Sequence, residues 1–89
     1  MPLRADKTRK KATGLRKADV VARDLLDRIV HGDPAPGAIL PKEAEIAGEF
    51  GVNRSVVREA IKLLEVHRLV RPVRRRGTVV LDPFASTAP

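Results

Sequence analysis

"GVNRSVVREAIKLLEVHRLV" (Gly51–Val70) carries two patterns on one segment. Val57, Ala60, Ile61 and Leu64 recur at i, i+3, i+4 and i+7. At about 100° per residue they cover one helical arc of roughly 100°, the stripe of a helix buried on one side. Arg54, Ser55, Arg58 and Lys62 fall on a separate arc of similar width. Asn53 stands where an N-cap belongs, and Gly51 supplies the left-handed residue that ends whatever helix precedes it. The sequence therefore predicts a helix with an apolar face for a core and a basic face for water or an anion.

Upstream, "PKEAEIAGEF" (41–50) reads as a short second helix, with Pro41 tolerated at its start and Glu43 and Glu45 suiting the positive end of its dipole. Ile46, Ala47 and Phe50 point inward. A first helix starts near Ala18, where Val21, Ala22, Leu25, Leu26 and Ile29 share a face, with Asp19 favouring its start and Gly32 closing it. "DPAPG" (33–37) cannot continue that helix, because two prolines lack donors. "AIL" (38–40) is a short extended stretch. Downstream, the period switches to two in "LVRPVRRRGTVVL" (69–81), predicting strand, turn and strand. Gly77 permits the turn, Val79 and Leu81 share one face, and Pro72 belongs on an edge.

The fold class is α+β, mainly α: three helices and a C-terminal β-hairpin wing, a winged helix-turn-helix. A basic N-terminal arm of residues 1–17 is expected to be disordered, the domain to span 18–81, and residues 82–89 to begin a linker.

Charge is segregated along the 89 residues. Residues 1–17 hold seven Lys/Arg against Asp6, residues 18–53 three against seven acids, and residues 54–81 eight against Glu59 and Glu65, within a net charge of +7. An acidic middle between two basic ends suggests a positive surface and a polyanionic partner. With two Phe and no Tyr or Trp, base stacking on aromatic platforms is nearly excluded. There is no cysteine, so no disulfide framework or thiolate metal site exists. No apolar run approaches the roughly 20 residues needed to span a bilayer, and no h-region follows the basic start. A cytoplasmic, nucleoid-associated protein without membrane contact is the expectation.

A basic helix after a tight turn suits the major groove of double-stranded DNA, where residues at the helix start reach base edges and free N–H groups favour phosphate. A wing bearing Arg74, Arg75 and Arg76 suits flanking phosphates or a narrow minor groove. Lys42 reads as a surface charge near phosphate. A solvated helix face and a solubilising turn would account for the same arginines without DNA. His31 and His67 have no nearby ligand partner for a metal, and Glu43, Glu45 and Glu49 read as a solvated face with no nucleophile beside them. No enzyme chemistry is visible.

The text "PGAILPKEAEIAGEFGVNRSVVREAIKLLEVHRLV…RRRGTVV" resembles the GntR family of bacterial transcriptional regulators, in its FadR-like branch, over about residues 18–81. The resemblance implies that Arg54 enters the major groove and reads bases, most often guanine. It implies that Asn53 and Ser55 bond phosphate or base, that Arg58 clamps phosphate, that Arg74 reaches the minor groove, and that Gly77 and Thr78 form the wing tip. Glu59 is read as structural, pairing with a basic neighbour. Three positions depart from the family pattern: Ala44 replaces an arginine, Arg68 a helix-ending glycine, and Arg75 the first wing glycine. Arg74–Arg76 would partly stand in for the arginine that Ala44 replaces.

The resemblance further implies a metabolite-responsive repressor acting on a palindromic operator. It would be a homodimer at full length or on DNA, and largely monomeric as this segment. Effector or metal would bind a C-terminal domain, so no cofactor is expected here, and the chain reads as a fragment of a longer regulator. Two rivals remain: a nucleoid or RNA-binding winged-helix protein without sequence preference, separable by competition with random duplex, and a protein-interaction module, which needs an exposed apolar patch instead of cations.

Overall fold

The apolar stripes read from the sequence converge on one core. The computed structural model describes residues 13–84. Helix α1 runs Thr13–Val30, α2 Glu43–Phe50 and α3 Arg54–Val66, followed by strands β1 (Val70–Val73) and β2 (Gly77–Val80). Val21, Leu25 and Ile29 of α1, Ile46 and Ala47 of α2, and Val57, Ala60 and Leu64 of α3 are all buried, joined by Leu40, Val70 and Val80. The core is aliphatic throughout. Truncating a side chain such as Leu25, 1% exposed, to alanine should cost about 2–5 kcal/mol, a large share of a small domain's stability.

Helix α1 begins five residues earlier than the periodicity predicted, at Thr13 instead of Ala18, so Asp19 lies inside the helix and not at its start. Leu15, Arg16 and Lys17 are good helix formers, and the high charge of the tail obscured this. The remainder of the predicted arm, residues 1–12, and the end of the predicted linker, residues 85–89, lie outside the described residues. Gly32 closes α1 as expected, at φ 86°: its N–H donates to Ile29 O and that of Asp33 to Arg28 O, a Schellman closure. Helix α2 starts at Glu43 instead of Pro41; Ile46 N–H donates to Lys42 O, which puts Lys42 at the cap position.

The same closure ends α3 without glycine. Arg68 N–H donates to Glu65 O and Leu69 N–H to Leu64 O, both at 2.9 Å, with Arg68 at φ 60°. Left-handed backbone costs a non-glycine residue about 1–2 kcal/mol.

Strands β1 and β2 are antiparallel, with Val70 opposite Val80 and Pro72 opposite Thr78. Ile39 bridges Val79 on the far side of β2, with Leu40 N–H donating to Thr78 O and Val80 N–H to Ala38 O. The stretch 38–40 thus flanks β2, and β1 with Pro72 is an outer strand. Val80 is buried with Val70, whereas Val79 and Leu81 are both half-buried. The pairing of 38–40 with β2 covers the Val79 side partially, which weakens the alternation a single hairpin would show.

Candidate nucleic-acid interface

The turn from Gly51 to Asn53 sets the start of α3. Val52 N–H donates to Ala47 O, closing α2 around Gly51 at φ 66°. Asn53 adopts the extended conformation of a cap residue (φ −73°, ψ 155°), and its carbonyl accepts from Val56 and Val57. Its side chain makes no capping hydrogen bond. The N–H groups of Arg54 and Ser55 precede the first helical bond, so the exposed start of α3 presents polar side chains and uncommitted donors together.

Arg54, on this first turn, lines a cleft of about 370 Å³ between α3, the start of α2 and the wing. Lys42, Arg76, Gly77 and Thr78 line the same cleft, with Glu43, Ala44 and Ile61. Four of the nine residues singled out from sequence therefore converge: Lys42, Arg54, Arg76 and Thr78. Ala44, where an arginine was expected from the family pattern, faces this space too.

The wing turn separates Arg76, in the cleft, from Arg74 and Arg75, which are not. Arg76 N–H donates to Val73 O at 3.0 Å, and Arg75 turns the chain at φ 69°. Gly77 follows at φ 110°, where an added Cβ would lie 3.2 Å from Ile39 Cγ2. The conformation favours glycine there, and any side chain would also need Ile39 to give by a few tenths of an ångström. Arg74 and Arg75 are exposed at the tip, outside the cleft lining.

Arg58 is the exception among the cations. Its Nε and Nη2 donate to Glu43 Oε2 and Oε1 at 3.4 and 3.3 Å, an ion pair linking α3 to α2. Glu59, expected to pair with a basic neighbour, is exposed and forms no ion pair among the described residues. Glu43 and Glu49, read from sequence as solvated, each take an arginine. Between α1 and α2, Arg28 donates to Asp24 at 2.9 Å and to Glu49, and lies over the Phe50 ring, 5.5 Å from its centroid. The Glu49 hydrogen bond raises the Arg28 pKa above its ordinary value and holds the Glu49 carboxyl below the usual carboxylate range. Asp24 and Arg28 have the four-residue spacing of a helix pair, whereas Glu49 is 21 residues away.

His31 Nδ1 lies 2.7 Å from Asp27 O, and His67 occupies the cap position of α3. No described helix is long and apolar enough to cross a membrane.

Three helices, a tight turn between the second and third, and a basic hairpin make this a winged helix-turn-helix domain. The sequence profile of "Bacterial regulatory proteins, gntR family" matches residues 17–80. The chain belongs to this family. It is 41% identical over 66 residues to the galactonate operon transcriptional repressor of Escherichia coli (74% of this chain, 29% of that protein). It is 46% identical over 72 residues to the gluconate operon transcriptional repressor of Bacillus subtilis (81% and 27%). Among solved structures it is similar to the AraR DNA-binding domain in complex with operator ORR3, with TM-score 0.68 and 33% identity, covering 72% of this chain and 77% of that one. The chain spans under a third of the length of the curated relatives it matches. These relatives are transcriptional regulators, not enzymes.

Proposed function

We propose that this chain is the operator-reading part of a transcriptional repressor, inserting the start of α3 into the major groove and laying the wing along the flanking backbone. The observation that carries the reading is the cleft in which Arg54 meets Lys42, Arg76 and Thr78. A duplex seated there places Arg54 at base edges, where a bidentate arginine–guanine contact discriminates by about 1–3 kcal/mol. Asn53, Ser55 and Thr78 supply hydrogen bonds, while Arg58, Arg74, Arg75, Arg76 and Lys42 supply phosphate or minor-groove contacts. Repression is the mode named for the galactonate and gluconate relatives, and AraR was solved on an operator.

The functional unit in this proposal is a dimer on a palindrome, its two heads held by a further domain that binds a small metabolite, in the bacterial cytoplasm. Tethering raises the second head to an effective concentration of about millimolar, so effector control of head spacing suffices to switch occupancy. The 89-residue chain by itself is then largely monomeric and weak on a single half-site. Residues 1–17 carry seven Lys/Arg and add salt-dependent affinity without sequence preference.

Selection of duplexes from a random-sequence library by this chain tests the reading. A short enriched motif, recovered as an inverted repeat when two copies bind, is the expected result. A pool that gains no motif while binding DNA tightly would replace it with sequence-neutral packaging.

A further inference from the structure

Arg54 and Arg58 lie one helical turn apart on the same basic face, yet only Arg58 is held by a carboxylate. Glu43 is the first residue of α2 and the only acid in the cleft lining, among Lys42, Arg54 and Arg76. Its carboxylate engages Arg58 through both oxygens, and the arginine side chain remains 59% exposed. An acid at this spot weakens phosphate attraction across the cleft that every neighbouring cation strengthens, and the pair is too exposed to be explained by stability.

We propose that Glu43 is a specificity-determining residue: it restrains Arg58 and repels misplaced backbone phosphates, weakening binding to random DNA more than binding to the operator. The proposal rests on the DNA-binding reading above. A phosphate that approaches Arg58 from the Glu43 side must displace the carboxylate or accept a like charge a few ångströms away. A phosphate on the open side of the guanidinium meets the remaining N–H donors without that repulsion. Only a duplex held in one register by the Arg54 base contact presents its phosphate consistently to the open side. Sliding, unregistered complexes sample both sides and bear the repulsion.

Glu45 provides the control. It lies on the same helix, is exposed and lines no part of the cleft, so Glu45→Gln makes the same change in net charge away from Arg58. The test measures binding of the wild type, Glu43→Gln and Glu45→Gln to a duplex selected by the wild type and to a scrambled duplex of equal composition, across a salt series. Glu43→Gln is expected to tighten scrambled-duplex binding about five- to tenfold, the scale of one close charge pair in water, and selected-duplex binding by less than about twofold. The salt slope on scrambled duplex should steepen by about 0.9 as Arg58 is released to a phosphate. Glu45→Gln should change both duplexes by the same small factor.

A Glu43→Gln effect equal on both duplexes, equal to that of Glu45→Gln, or weakening binding to both overturns the proposal while leaving the DNA-binding reading intact. A wild type that fails to discriminate the two duplexes removes that reading and the proposal with it. Matched melting temperatures ensure that the comparison concerns binding, and Arg58→Ala in the Glu43→Gln background should remove most of the gain on scrambled duplex.

Discussion

Arg28 and Arg54 are the same side chain in two different settings. Arg28 sits in the acidic stretch of the sequence, with Asp24, Glu49 and the Phe50 ring around it, and ties α1 to α2. Arg54 begins α3 beside Lys42, Arg76 and Thr78, with no ion pair among the described residues. One arginine has its partners inside the fold; the other shares its cleft with two cations and with Glu43, whose carboxylate is taken by Arg58. An incoming polyanion offers such an unpaired cation the partner that the fold does not supply. The contrast separates arginines that hold the fold from arginines that await a ligand, and Arg58, paired but largely exposed, lies between them.

The largest effect should follow from Arg54→Ala. Preference for the selected duplex over the scrambled one should fall by about ten- to a hundredfold, measured as a ratio at fixed salt, with the melting temperature unchanged. A variant that loses stability and keeps its preference would reverse the roles of the two arginines.

Arg28→Ala should do the opposite. Losing the ring contact and the half-exposed ion pairs should cost about 1 kcal/mol, discounted for solvent screening, and lower the melting temperature by about 4–8 °C with the duplex ratio unaltered. Its pH dependence is a second readout. Because Arg28 holds the Glu49 carboxyl below its ordinary range, this contribution is present above that range and is lost as pH falls through the depressed value. The acid limb of the wild-type stability curve should therefore be steeper than that of Arg28→Ala.

Smaller changes should come from the arginines in left-handed backbone. Arg75→Gly removes a wing-tip cation and the unfavourable φ together, so the salt slope of DNA binding should flatten by about 0.9 as the domain becomes slightly more stable. Arg68→Gly should raise the melting temperature by about 2–4 °C, since relief of strain at φ 60° exceeds the added freedom of the unfolded chain by about 0.5 kcal/mol. An unchanged or lower melting temperature would mean that the Arg68 side chain contributes a compensating interaction.

The sequence made α3 legible almost residue by residue, because its apolar stripe, the cap position of Asn53 and the Gly51 turn are local patterns. Arg68 stood out only against the family pattern, where a glycine ends this helix, and it takes the left-handed conformation at φ 60°. What escaped were pairings between distant segments. Periodicity says nothing about which acid meets which arginine, so Glu59 was given a pairing that belongs to Glu43 and Glu49. The third partner of the hairpin was not read either, because residues 38–40 pair with β2 from far upstream in the chain. The cleft itself depends on how α2, α3 and the wing pack, so only its individual cations, not their convergence, were visible beforehand.

The central claim is that Arg54 reaches a base and not merely the backbone. Replacing each guanine of the selected duplex in turn by 7-deazaguanine removes the N7 acceptor while leaving the phosphates unchanged. At one position per half-site the wild type should lose about fivefold in affinity, roughly 1 kcal/mol, and Arg54→Ala should lose less than about twofold from its already weakened binding. Equal losses for the two proteins at every guanine would contradict the account and return Arg54 to the role of a phosphate contact.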